Sequence, residues 1–243
     1  LIAGRRSGAR ILIRHEASDV ASARSVVKGR IRDFFLRRLY SRIDRFAVIG
    51  VEARRHLLRL GVDPARLWEA PYCVDTKFVE TQVDIWGASR ARLRAEAGVA
   101  DGGTVFVFSG KLVEKKNPLM ILDAIGMLPA DMRRTLHLVV AGDGALKAEM
   151  ERRGRAVLGS RLHLAGFLNQ TEIGRAYAMA DALILPSRRG AGETWGLVVN
   201  EAMQYGLPAF VSDGVGAGPD LVEEGRTGFC FEGDDPCSMA EAM

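Results

Sequence analysis

The stretch TVFVFSGKLVEKKN, residues 104–117, places an unbroken run of β-branched and aromatic residues directly before a glycine and a basic loop. A run that is apolar at every position, rather than at alternate ones, fits a strand covered on both faces, as in parallel sheets. Similar runs recur as RILIRH (10–15), RFAVIG (45–50), LHLVVAG (136–142), RLHLAG (161–166), ALILPS (182–187), PAFVSD (208–213) and GFCF (228–231). Helical patterns fall between them at 24–43, 51–60, 88–97, 117–127, 144–157, 170–180, 194–205 and 217–224. Strand and helix alternate throughout, which predicts an α/β fold of parallel sheets with helices on both faces. The segment 71–86, PYCVDTKFVETQVDIW, has no clear period and reads as a linker. Two or three strands precede it, which is half a sheet, and six follow, enough for a complete doubly wound domain.

The chain has 243 residues, 48% hydrophobic and 26% charged, an ordinary globular composition with enough length to bury a core. No apolar stretch reaches the length of a membrane span, and the start LIAGRRSGARILIRH has arginines but no long apolar segment of a secretory leader. Cys73, Cys230 and Cys237 have no metal-binding spacing, so a reducing, cytoplasmic compartment is expected. The net charge is +4, with the basic excess concentrated in residues 1–66. There is no initiator methionine, and the closing DPCSMAEAM opens a helix pattern and stops inside it, so a piece of a longer chain is expected.

In doubly wound sheets, ligands bind beyond the carboxyl ends of the strands. The strand-to-helix loops are therefore the places to look for chemistry. Gly110 to Asn117 carries Lys111 and Lys116 around the start of a helix. Cations there suit a phosphate or pyrophosphate, though a solvated basic loop has the same composition, and the Walker spacing is absent. The stretch RGAGETWGLVVNEAM, 189–203, offers a permissive glycine loop, then a helix from about Thr194 that is apolar on nearly all sides. Glu201 inside that helix needs a hydrogen-bond partner, which vicinal hydroxyls of a ribose could be. Glu193 lies near the amides at the helix start; the plainer reading is a capping glutamate with a second, solvent-facing one. In AGDGAL (141–146), Asp143 suits a helix cap in a structural turn, and SDGVGAGPDLVEEG (212–225) is similar. His15 and Glu16, at the end of the first strand, are placed for acid–base work or are a strand-end pair without a role. Helix 24–46 carries Ile31, Phe35, Leu39 and Ile43 on one stripe, with Arg30, Arg37, Arg38 and Arg42 elsewhere. Such a helix either packs its stripe in a core or lies on an anionic membrane. Aromatics are few and no nucleic-acid recognition motif is present.

Taken in order, the Gly-Lys-Leu-x3-Lys-Asn loop, VVAGDGAL, LHLAGFLNQTEI, DALILPS, Glu193-x7-Glu201 and GLPAFVSD resemble the retaining GT-B glycosyltransferases of family 4 over about residues 45–243. The resemblance implies two Rossmann-like domains: residues 1–75 as the last part of an acceptor-binding domain, and 76–243 as a nearly complete domain for the nucleotide-sugar donor. It implies Lys111, Lys116 and Glu193 as the catalytic set, the lysines on the donor pyrophosphate and Glu193 on the sugar. Glu201 would take the ribose hydroxyls, Gly110 and the backbone at Leu168 would lie against the nucleotide, and amides of Thr194, Trp195, Gly196 and Leu197 would reach sugar and phosphate. It implies no metal cofactor, and a glycan or lipid-linked acceptor. These 243 residues alone would be inactive, with half the cleft missing. Two departures stand out. Lysine occupies position 111 where the family usually has arginine, which keeps the charge but loses the bidentate fork. Pro71-Tyr72-Cys73-Val74-Asp75 replaces a common Pro-Asn-Gly-Val-Asp at the hinge. A GT-B epimerase or phosphorylase remains open on the same fold, as does a non-catalytic nucleotide-sugar-binding or membrane-docked scaffold protein.

Overall fold

The computed structural model describes residues 6–21 and 26–243. All its strands are parallel and form two sheets. The first contains β1 (Leu12–His15), β2 (Arg45–Val48) and β3 (Leu67–Glu69) in that order, with Phe46 opposite both Ile13 and Leu67. Helix α1 (Val26–Tyr40) connects β1 to β2, and α2 (Val51–Arg59) connects β2 to β3. Phe46, Ile43, Leu57 and Leu60 fill the space between sheet and helices.

The second sheet has six strands: β4 (Thr104–Ser109), β5 (Leu136–Ala141), β6 (Leu162–Gly166), β7 (Ala182–Leu185), β8 (Ala209–Ser212) and β9 (Gly228–Phe231). Their order is β6-β5-β4-β7-β8-β9. The chain therefore steps outward from β4 to β6, returns to the far side of β4 as β7, and steps outward the other way. Helices α5 (Leu119–Met127), α6 (Ala130–Thr135), α7 (Lys147–Leu158), α8 (Ile173–Met179), α9 (Leu197–Gln204), α10 (Gly218–Leu221) and α11 (Pro236–Ala242) make the connections. Every residue of β5 and β7 is buried, as their unbroken apolar runs require. Each fully buried Leu or Val contributes about 1.5–3 kcal/mol over its exposed state.

The structure changes several sequence expectations. The segment 71–86 is a linker only at its start: Thr76–Gly87 is helix α3, followed by α4 (Arg90–Glu96). The Asp75 carboxylate accepts the Phe78 amide and caps α3, which buries Val79 and Gln82 against α8 and α9. The strand β3 was not foreseen, since LWE is short and leaves Trp68 exposed. Helix α9 begins at Leu197 rather than near Thr194, because Gly196 takes φ 105°, outside the helix. It is not buried all round: Val199 and Ala202 are, while Leu197 is exposed. Asp143 does not occupy the cap of α7, which begins at Lys147; it accepts the Gly144 amide and the Lys147 ammonium instead.

The basic helix also departs from the core reading of its stripe. Its expected first positions, 24 and 25, lie outside the described residues. Of the stripe, Ile43 is buried beyond the helix end, whereas Ile31, Phe35 and Leu39 are exposed, joined by Phe34. Among the described residues, no helix is long and apolar enough to cross a membrane.

Candidate functional site

The strand order reverses direction between β4 and β7, and a crevice opens beyond their carboxyl ends. The loop after β4 carries Lys111 and Lys116, and the loop after β7 carries Glu193. The structure brings these two loops together: the Lys116 ammonium pairs with the Glu193 carboxylate, and the Ser187 hydroxyl donates to the same oxygen at 3.1 Å. Both partners are largely buried. Glu193 is thus an ion-pair partner rather than a helix cap.

The lysine loop is held from the β7 side. Arg188, next to Ser187, donates to the Glu114 carbonyl and to the Asn117 side chain, and pairs with Asp234. Its amide bonds the Lys115 carbonyl. Asn117 itself sits in the left-handed region at φ 50° and donates to Asp234. The bracing role of Arg188 gave no signal in the sequence, because its partners are more than 70 residues away; Asn117 and Ser187 stood in quoted motifs, but without a role.

A cavity of about 350 Å³ opens at the start of the lysine loop; neither Lys116 nor Glu193 is among its lining residues. Lys111, Gly110, Leu168 and Glu201 all line it, with Asp143 and Gln170. Its floor depends on Gly142, where a Cβ would stand 1.8 Å from the Gly110 carbonyl oxygen. The Lys116 Cε passes 3.8 Å from where a Cβ on Gly110 would be, so its stem runs beside a residue of the cavity wall. Lys111 forms no ion pair among the described residues. Volume and lining suit a ligand of small-molecule size.

Glu201 stands on α9 and is the carboxylate in the cavity wall. The Tyr177 hydroxyl, buried on α8, donates to it at 2.9 Å. Burial raises the Glu201 pKa above the ordinary carboxylate range, and the bond from Tyr177 offsets this only in part. The Tyr177 hydroxyl is itself pushed well up, first by burial and then by the Glu201 charge. Glu201 therefore keeps acceptor capacity facing the cavity. A second cavity of about 360 Å³ lies across Glu201, Gln170 and Ile173, against Asp75 and Gln82.

Of the amides expected at the site, Gly196 and Leu197 lie where α9 begins, and the first N–H groups of a helix have no intrahelical partner. The Trp195 side chain turns away from the cavity into the core, where its indole N–H donates to Asn200 at 2.8 Å. Carbonyls of Glu193 and Trp195 accept the Gly216 and Ala217 amides, so the glycine loop after β8 braces this one. His15 and Glu16 are not at this cavity. His15 is buried, stacked on His56, and its Nε2 has no partner; burial, then the nearby His56, hold its pKa down at about 4. Among the described residues, no group of three or more His, Cys, Asp or Glu is placed to hold a metal ion.

Residues 89–243 match the family model described as Glycosyl transferases group 1. The D-inositol 3-phosphate glycosyltransferase of Streptomyces avermitilis is 29% identical over 163 residues, covering 63% of this chain and 34% of that protein. The sulfoquinovosyl transferase SQD2 of Arabidopsis thaliana is 31% identical over 147 residues, covering 59% of this chain and 26% of that protein. The chain thus spans well under two thirds of the length of these curated relatives. Among solved structures, Anabaena Alr3699/HepE in complex with UDP and glucose superposes with a TM-score of 0.68 at 19% identity, over 99% of this chain and 62% of that one. Sucrose-phosphate synthase from Thermosynechococcus elongatus gives 0.69 at 18% identity, over 99% and 60%. These likenesses show the fold, an α/β GT-B architecture.

Proposed function

The chain belongs to the group 1 glycosyl transferases, and we propose that it is part of a retaining, family 4 enzyme that moves a sugar from a nucleotide-diphosphate sugar to a glycan or lipid-linked acceptor. The observation that carries this reading is the meeting of Lys116 and Glu193 at the switch point, beside a cavity walled by Lys111 and Glu201. In this reading the ribose hydroxyls donate to Glu201, the base lies against the backbone at Leu168, and the pyrophosphate lies along Gly110 between Lys111 and Lys116. Thr194 to Leu197 approach the sugar through their amides.

The chemistry follows from where charge develops. As the glycosidic bond to the diphosphate breaks, negative charge grows on the leaving oxygens. Cations already in place stabilise that charge more than they stabilise the bound donor, and so lower the barrier. Two lysines supply this without a metal ion. Lys116 leaves Glu193 for the phosphate, and Glu193 is freed to accept from a sugar hydroxyl. Residues 1–75 would contribute the last part of the acceptor side and 76–243 the donor side. The neighbouring Anabaena protein was crystallised with UDP and with UDP-glucose, which makes these the first donors to try.

Calorimetric titration with UDP and UDP-glucose tests the reading. Binding should weaken about 10- to 150-fold in Lys116→Ala, since a bond to a charged group contributes about 1.5–3 kcal/mol. Parental affinity in both Lys116→Ala and Glu201→Ala would remove the site assignment.

A peripheral contact with anionic membrane on the cytoplasmic side is proposed on one observation. Helix α1 exposes Ile31, Phe34 and Phe35 beside the exposed Arg30 and Arg38. Apolar side chains next to cations suit a lipid interface. Sedimentation with phosphatidylserine vesicles should fall in a Phe34→Ser/Phe35→Ser variant; binding indifferent to both anionic lipid and these residues would remove the proposal.

A further inference from the structure

The turns at the carboxyl ends of the two sheets meet through Gly50, Trp195 and Asp220, and the side chains of the last two do not line the donor cavity. Gly50 ends the strand-to-helix turn after β2. Its backbone is extended, at φ 172°, so an alanine would fit it without strain. Space is what demands glycine: a Cβ there would stand 2.5 Å from Cζ3 of Trp195 and 2.7 Å from Oδ2 of Asp220. The Trp195 ring is seated against the bare backbone of the other sheet's turn.

Asp220 makes the second contact. Helix α2 begins after Gly50, which has no side chain to cap it. Asp220, in α10 after β8, reaches across and accepts the Val51 amide at 3.0 and 3.2 Å with its two oxygens. The cap of a helix in the first unit is therefore supplied by the second. Tyr72, in the connecting segment, lies 5.9 Å from the Trp195 ring at 45°, and the Arg14 guanidinium sits 4.3 Å over Tyr72.

The same tryptophan belongs to the loop of Glu193. Its carbonyl and that of Glu193 are held by the Ala217 and Gly216 amides, and its indole is tied to Asn200 in the first turn of α9. Trp195 thus touches the turn of the first sheet with its ring, while its backbone lies two residues from Glu193.

We propose that Gly50, Trp195 and Asp220 form a coupling joint through which the approach of the two sheets positions Glu193 beside Lys116. The side chains of Trp195 and Asp220 act by positioning; neither lines the cavity. The coupling is reciprocal, so a ligand engaging Glu193 favours the seated joint. The link to sugar recognition rests on the donor-site reading above, whereas the seating of Trp195 does not.

The test uses Gly50→Ala as a wedge, with Asp220→Ala and the conservative Asp220→Asn. Fluorescence of Trp195, read in a Trp68→Phe/Trp86→Phe background, should be blue-shifted and shielded from acrylamide in the parent. It should shift red, with quenching raised about 2-fold, in Gly50→Ala and Asp220→Ala. Asp220→Asn keeps an acceptor for Val51 and should stay near the parent. UDP-glucose affinity should fall about 10-fold in Gly50→Ala while UDP affinity changes less than 2-fold, because only the sugar engages the Glu193 loop. Unchanged Trp195 fluorescence in Gly50→Ala, or equal weakening of UDP and UDP-glucose, overturns the joint. If Gly50→Ala does not fold, the Asp220 pair decides by the same readings. If the parent binds neither ligand, the donor-site reading fails, and the fluorescence alone decides whether the sheets are joined here.

Discussion

The two ends of the six-stranded sheet each hold a partly buried carboxylate, and they treat it differently. At the amino end, Asp181 precedes β7 and accepts from Arg90 at 2.5 Å, from Arg94 at 2.9 Å and from the Val105 amide at 2.8 Å. Burial opposes its ionisation, but Arg94, the Val105 amide and Arg90 outweigh this and hold its pKa below the usual range. At the carboxyl end, Glu201 has one neutral donor, Tyr177, and burial keeps its pKa up. The first carboxylate is fully engaged by the fold. The second is under-satisfied and faces a cavity. Proteins keep such a group where something else completes it, so the contrast separates structural from functional charge more clearly than residue type does.

The largest effect should come from breaking the engaged end. Asp181→Ala leaves Arg90 and Arg94 without their shared anion and the Val105 amide without an acceptor. Stability should fall by about 2 kcal/mol in chemical denaturation, since the pairs are partly exposed, with UDP affinity of the folded protein unchanged. Loss of binding without loss of stability would erase the distinction between the ends.

Glu201→Gln should do the reverse. The native Glu201 pKa lies above that of the unfolded chain, so its ionised form is penalised on folding. That cost is present at neutral pH and relieved as pH falls through the raised value. Removing the charge should leave Tm level or raise it, while UDP affinity drops about 10-fold. A lower Tm with parental affinity would make Glu201 a structural residue.

A smaller effect sharpens the amino end again. His137 and His163 stack there, with rings 5.4 Å apart, and burial, then the neighbouring His163, lower the His137 pKa to about 4. In acid the unfolded chain takes a proton that the folded one refuses, so stability is lost as pH falls from 6.5 toward 4. His137 alone accounts for about 1 kcal/mol between pH 6.5 and 5.5. Denaturation of His137→Gln should show a shallower pH slope; an equal slope would place the sensitivity elsewhere, His15 being the other buried candidate.

Much of this was legible because unbroken apolar runs such as TVFVF and LHLVVA have few alternatives to a doubly covered strand. The lysine and glutamate loops were legible as positions, since strand ends locate them. What they touch was not. The Tyr177 bond to Glu201 joins neighbouring helices 24 residues apart, and Arg188 braces a loop more than 70 residues earlier. Helix α3 reads as linker in sequence because its polar face obscures its period, and packing against α8 and α9 settles it. Trp195 looked like part of the donor loop, and in backbone it is; its side chain serves the seam between sheets, which no local pattern announces.

In the proposed site one ligand unites three side chains, Lys111, Lys116 and Glu201. A crystal structure of the protein with UDP tests it most directly. The expected result is diphosphate oxygens within hydrogen-bond reach of Lys111 and Lys116 and both ribose hydroxyls on Glu201. UDP bound elsewhere, such as the groove beside Arg155 and Arg175, with Glu201 still bonded to Tyr177 alone, would contradict it.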